Sequence, residues 1–180
     1  MESALGAAAG FSLFFLYGSL FEYAFHRWLL HRPSRMLRSP YRVHALLHHQ
    51  VFGGGATYGI QRVEDRDSIL FEWWQAPVIL ASHAPLAAGV QAAIGLPVFW
   101  GGMLALAAYY GLYESFHWCM HNPTGRWIER TRTFRFLDAH HRLHHRLWRV
   151  NFNVIVPLGD LVFGTFRPAR PPLVTRSMGP

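Results

Sequence analysis

The chain contains no lysine and a single cysteine, Cys119, and these two shortages exclude several chemistries at once. Without lysine there is no pyridoxal Schiff base and no P-loop, whose lysine must reach the nucleotide phosphates. One thiol cannot build a disulfide framework within the chain, nor a four-thiolate zinc or iron-sulfur site. Charge is also scarce: 15% of the 180 residues are charged, against roughly 25% in a soluble domain, while 51% are hydrophobic. A membrane protein is the first expectation. The ten acidic residues are outnumbered by twelve histidines, eleven of which fall into four tight groups.

All 17 basic residues are arginines, and none lies in residues 1–26 or 67–125. Residues 4–25 form an apolar run whose one charged side chain is Glu22. As a helix this run is about 33 Å long, which matches a bilayer core of about 30 Å. The second gap is too long for one span and breaks at Gly95-Leu96-Pro97, giving spans at residues 69–94 and 97–113, the former bent by Pro77 and Pro85. Arginine-rich segments stay cytoplasmic, so three spans put the N-terminus outside and return every clustered histidine to the cytoplasmic face. Trp73, Trp74, Tyr109, Tyr110 and Tyr113 then lie near the cytoplasmic interface, which amphipathic rings prefer.

The opening Met1-Glu2-Ser3 lacks the basic start of a signal peptide. The net charge of +7 is accounted for by topology and lipid headgroups, so no nucleic-acid partner is expected. With no internal repeat, residues 1–180 read as a single domain. The fold class expected is an all-α membrane protein with about three transmembrane helices and a cytosolic, histidine-rich helical cap.

Side chains three or four residues apart share a helix face at about 5 to 6 Å between Cβ atoms, close enough to share a metal or serve two neighbouring ones. His44/His48, His117/His121 and His141/His144/His145 have that spacing. His26 and His31, five apart, have it only if the helix frays before Pro33. These nine and His49 make up the candidate ligand set of His26, His31, His44, His48, His49, His117, His121, His141, His144 and His145. They supply about four to five nitrogens to each of two metals. His140 reads as a polar neighbour, and His83, alone inside the second span, as a hydrogen-bonded bundle residue.

Carboxylates recur on the same faces: Glu22 precedes His26 by four residues, Glu114 precedes His117 by three and Asp138 precedes His141 by three. A ligating imidazole usually gives its other N–H to a carboxylate or carbonyl, so these acids are expected to orient the histidines, with Asp160 as a further member. Imidazole-rich donors suit iron, zinc, copper or nickel, and zinc needs only four ligands and carries no redox chemistry. Two irons that bind O2 between them account for ten. Trp28, Trp118, Trp148 and the aromatic residues near the hairpin are candidate walls of a substrate channel.

The boxes His26-x(4)-His31, His44-x(3)-His48-His49, His117-x(3)-His121 and His141-x(2)-His144-His145 are followed by Asn151-Phe152-Asn153-Val154-Ile155-Val156-Pro157-Leu158-Gly159-Asp160 and Phe163-Gly164-Thr165. In this order they resemble the fatty acid hydroxylase/sterol desaturase superfamily of membrane di-iron enzymes. The resemblance implies an all-helical bundle with a cytosolic cap and two irons held by the ten histidines, with zinc able to replace iron on purification. It also implies hydroxylation or desaturation of a membrane lipid with O2 and two electrons. Asn153 and Gly159 stand where the family usually has Gly and Trp, and Ile155-Val156 where it has Thr-Ser. No fused haem domain is expected, so electrons come from a separate ferredoxin or cytochrome b5-like donor, steered by the arginine-rich face. The oligomeric state is left open.

Three rivals are weighed against this reading. A short carotenoid hydroxylase has similar length and boxes, but the three residues between His117 and His121, together with the tail, favour the fatty acid hydroxylase branch. A metal-transporting or metal-storing membrane protein needs ionisable groups through the bilayer, where only His83 lies deep. A bis-histidine haem protein leaves most of the boxes without a role. Arginine without lysine points to a GC-rich bacterial genome, hence an inner membrane.

Overall fold

Three long helices dominate the computed structural model, which describes residues 2–33 and 38–169. The first, α1 (Glu2–Ala24), runs without a break into a π-helical turn, Phe25–Leu30. Short α2 (Arg38–Val43) likewise widens into a π-helical turn, His44–His48, and closes with α3 (His49–Val51). A loop holding the 3-10 turn Val63–Ser68 leads to α4 (Gln75–Ile94) and α5 (Phe99–His121). After a 3-10 turn, Ile128–Arg130, come α6 (Arg132–Arg146) and α7 (Leu158–Val162). No strand occurs among the described residues.

The second apolar helix starts at Gln75 and not at residue 69, because residues 63–68 form the 3-10 turn and the chain stays irregular to Trp74. Pro77 falls in the first turn of α4, where its missing N–H has no intrahelical partner to lose, and only Pro85 lies in the interior. The break after α4 is as expected: Gly95 adopts a left-handed φ of 68° and its N–H caps the Gln91 carbonyl at 3.0 Å.

Among the described residues two helices, Ser3–Leu30 and Gln75–Ile94, are long and apolar enough to cross a membrane. Much of their side-chain surface is uncovered: Leu5 is 73% exposed and Val78 56%. Water tolerates little contiguous apolar surface of this kind, whereas lipid does not penalise it. α5 is long enough to span but carries His117, His121 and Glu114 at its C-terminal end.

α1 and α5 run parallel in close contact. A Cβ on Gly101 would stand 1.9 Å from the Ala7 carbonyl oxygen, so only glycine lets the two backbones meet there. Further along, the Tyr109 hydroxyl donates to Glu22 at 2.5 Å. The parallel pair delivers His26 and His31 to the same end as His117 and His121. α6 packs its buried face, with Phe134, Leu137 and four histidines, over that end.

Candidate metal centre

Four chain segments meet at this end, and their imidazoles sort into two groups of five. His26, His31, His44, His49 and His144 form the first, and His48, His117, His121, His141 and His145 the second. Within each group the ligand atoms lie within 4.8 Å of one another. Every member is buried except His31, which is half-buried. The groups abut, with the rings of His49 and His145 stacked at 4.2 Å between centroids. Trp148 covers the first group from outside, 5.1 Å from His49.

The π-helical turns explain the sorting. His31 N–H bonds the His26 carbonyl at 3.1 Å, an i→i+5 bond, and this wider turn brings their Nε2 atoms to 3.2 Å. The helix end does not fray, as the five-residue spacing seemed to require; it widens. The turn at His44–His48 does the same, and the His49 N–H caps the His44 carbonyl. His44 therefore joins His49, with Nε2 atoms 3.2 Å apart, while His48 turns to the second group, so this pair serves two neighbouring groups and does not share one. α5 and α6 keep α-helical spacing, so His117/His121 and His141/His145 each serve one group while His144 serves the other.

Backbone carbonyls fix which nitrogen faces inward. In the first group Nδ1–H of His26 donates to the Phe152 carbonyl and that of His144 to Val150 at 2.8 Å. In the second, Nδ1–H of His48 donates to Ser68 at 2.9 Å, that of His121 to Tyr58 at 2.7 Å and that of His145 to Phe52. A neutral imidazole has one N–H, so each of these five presents an Nε2 lone pair to its group. Burial keeps them neutral, holding His48 and His144 down to about 4. Lone pairs then face other imidazole nitrogens at short range, as between His31 and His144 at 3.0 Å and His141 and His145 at 3.0 Å. Both nitrogens of buried His117 have no hydrogen-bond partner among the described residues. Converging neutral nitrogens with fixed tautomers are the donor set of a transition-metal site, so the residues fit two such ions.

The carboxylates expected to orient these rings bond other groups: a backbone carbonyl already occupies Nδ1 of His26, and neither His117 nor His141 Nδ1 has a hydrogen-bond partner among the described residues. Glu22 accepts from Tyr109, from Asn153 Nδ2 at 2.9 Å and from the Val154 N–H at 2.5 Å. Glu114 accepts the Phe71 N–H at 3.3 Å. Asp138 pairs with Arg142 at 3.5 Å, whose guanidinium lies 3.8 Å over the Tyr58 ring. Asp160 bonds His140, outside both groups, at 3.2 Å. Burial would raise the Asp160 carboxyl, but donors from His140, Asn153, Thr165 and Phe152 hold it below its usual range. His83 bonds within its own helix, to the Ile79 carbonyl at 2.7 Å.

The residues at variance with the family pattern belong to this packing. Asn153 bridges Ser19, Glu22 and the Asp160 N–H, and a Cβ on Gly159 would stand 2.3 Å from the Tyr23 Cβ. Tyr109, Asn153 and the five carbonyls had no sequence signal as parts of the site, since backbone acceptors leave no mark on composition.

A cleft of about 210 Å³ reaches the centre between α2, the start of α4 and α5, with His44 of one group and His48 and His117 of the other in its wall. Its remaining lining is mostly apolar, including Phe25, Ile69, Phe71, Trp74 and Tyr113. None of Trp28, Trp118 and Trp148 lines it. A smaller cavity of about 60 Å³ among α1, α4 and α5 shares Phe25, Phe71, Ile79 and Tyr113 with the cleft and reaches His26.

Comparison with curated proteins gave no match, nor did comparison with solved structures. The family model described as fatty acid hydroxylase matches residues 11–165, from the first long helix through Thr165 and including all ten histidines of the two groups. With the match covering most of the sequence and both histidine groups, this chain belongs to the fatty acid hydroxylase family.

Proposed function

We propose that the chain is an O2-dependent di-iron membrane oxygenase that hydroxylates, or desaturates, a lipid. The observation that carries this reading is the apolar cleft whose wall holds histidines of both five-membered groups. His26, His31, His44, His49 and His144 would hold one iron, and the other five the second. Bound iron would supply the activation of O2 against an unactivated C–H bond, and two external electrons with two protons complete either alcohol plus one water or alkene plus two waters. The protein's own part is to converge ten neutral imidazoles, five of them aimed through the carbonyls of Phe52, Tyr58, Ser68, Val150 and Phe152. Phe25, Phe71 and Tyr113 hold a hydrocarbon chain in the cleft and keep water from it, with the smaller cavity taking the end of the chain.

In this reading α5 is a third span beside the two apolar helices, the N-terminus is outside, and the histidine cap lies on the cytoplasmic side of a bacterial inner membrane. A separate ferredoxin or cytochrome b5-like protein delivers electrons to the arginine-rich face. The test is elemental analysis of protein purified in mild detergent from iron-supplemented cells, with lipid profiling of the same cells. About two irons per chain, lost in a His121→Ala, His144→Ala double variant together with the new hydroxylated or unsaturated lipids, is the expected result. Zinc in place of iron is expected to yield product only after exchange for ferrous iron. Wild-type protein that binds neither iron nor zinc would overturn the reading.

A further inference from the structure

The two histidine groups have the same donor chemistry but take their orienting carbonyls from different parts of the chain. The first group depends on Val150 and Phe152, and the second on Phe52, Tyr58 and Ser68. Part of each supporting segment, residues 61–68 in one and 152–153 in the other, is held by one buried aspartate that hydrogen-bonds no member of either group.

Asp160, fully buried, accepts four donors: the N–H groups of Phe152 and Asn153 at 2.8 Å each, the Thr165 hydroxyl at 2.7 Å and His140 at 3.2 Å. Through the Asn153 N–H it thereby holds the peptide whose carbonyl receives His26, and through the Phe152 N–H the peptide before it. Asn151, at a left-handed φ of 55°, ties the same segment to the tail through the Thr165 carbonyl and the Arg167 N–H. Asp65 has the corresponding place in the other segment. Its Oδ2 accepts the N–H groups of Gln61 at 3.0 Å and Arg62 at 2.8 Å, and its own carbonyl accepts the Ser68 hydroxyl at 2.8 Å. This closes the 3-10 turn that ends at the Ser68 carbonyl. The adjoining Ile60 N–H is anchored on the His121 carbonyl at 2.9 Å.

We propose that Asp160 and Asp65 are positioning residues that act separately, Asp160 governing metal retention at the first histidine group and Asp65 at the second. The proposal rests on the two-metal reading above. Loss of a group that orients a ligand typically weakens metal binding about 10- to 100-fold, and here that loss falls on one ion only.

The experiment loads full-length, metal-free protein in detergent with ferrous iron under anaerobic conditions. Metal per chain is read at a chelator concentration that leaves the wild type fully loaded. Asp160→Asn is expected to retain half the wild-type metal; adding His31→Ala changes nothing further, and adding His121→Ala removes the rest. Asp65→Asn gives the mirror result, insensitive to His121→Ala and emptied by His31→Ala. Thr165→Val, which removes one donor from Asp160 and leaves the carboxylate, weakens the first site in the same direction and stands in if Asp160→Asn does not fold. Unchanged helical circular dichroism in the half-loaded variants separates positioning from general unfolding. Equal loss at both sites, or full retention in both aspartate variants, overturns the proposal. A wild type that takes up no metal overturns the two-metal reading itself, a result distinct from either.

Discussion

The two histidine groups are alike in ligands and unlike in support. The second is buried throughout, and its carbonyls come from the loop between residues 52 and 68. The first includes half-buried His31 at the end of a π-helical turn, and its carbonyls come from the segment after α6, braced by Glu22 and Asp160. One end of the bundle thus carries two groups of the same donor chemistry whose orienting carbonyls come from separate stretches of chain.

The largest effect expected is from removal of a ligand on either side. His144→Ala and His121→Ala should each abolish product formation while lowering bound metal by one ion, measured by elemental analysis and lipid profiling. Loss of both ions from either single variant would mean that the groups bind as one unit and would break the comparison. Glu22→Ala comes next, because it leaves Tyr109, Asn153 and the Val154 N–H without their acceptor. Unsatisfied buried groups cost about 1–3 kcal/mol each. Thermal unfolding in detergent should show a lower Tm, and metal titration a weaker first group beside an unaltered second.

Gly101→Ala is a control for that asymmetry. The added methyl forces α1 from α5, at a cost of about 1–3 kcal/mol. Since α1 carries part of the first group and α5 part of the second, both sites should weaken together on titration. A change confined to one site would show that its helix is not shared as the packing implies.

Acid is expected to have the smallest effect and to treat the groups alike. His144 of the first and His48 of the second are both held down to about 4 by burial, from an ordinary value near 6.5. Above about pH 6.5 their contribution to the stability of the metal-free chain is fully present. It declines as pH falls toward 4, because the unfolded imidazoles take up protons that the folded ones refuse. Asp160, held below its usual range, begins to lose its contribution only below about pH 5. The Tm of metal-free protein should therefore be lower at pH 5 than at pH 7.5, and a constant Tm would show the imidazoles to be less desolvated than their burial indicates.

The long helices, the break at Gly95 and the ten clustered imidazoles were legible in the sequence because hydropathy, turn chemistry and histidine spacing are local. The start of α4 was not: residues 69–74 are apolar enough to read as helix, yet they leave the 3-10 turn as irregular chain. Glu22, Glu114 and Asp138 share helix faces with the ligands yet bond Tyr109 and the Val154 N–H, the Phe71 N–H and Arg142, since spacing says which face a side chain is on but not which donor from elsewhere in the chain reaches it. Gly159, at odds with the family pattern, made sense only once Tyr23 was seen against it.

By itself the sequence determined that apolar helices would bring a histidine-rich surface to one end of the molecule, because the hydrophobic runs and the ligand boxes are each contiguous. Tertiary structure alone decided which five imidazoles belong together. Two π-helical turns rotate His31 toward His26 and His49 toward His44, and that choice depends on backbone hydrogen bonds of i→i+5 and on carbonyls more than a hundred residues away, such as Phe152 for His26.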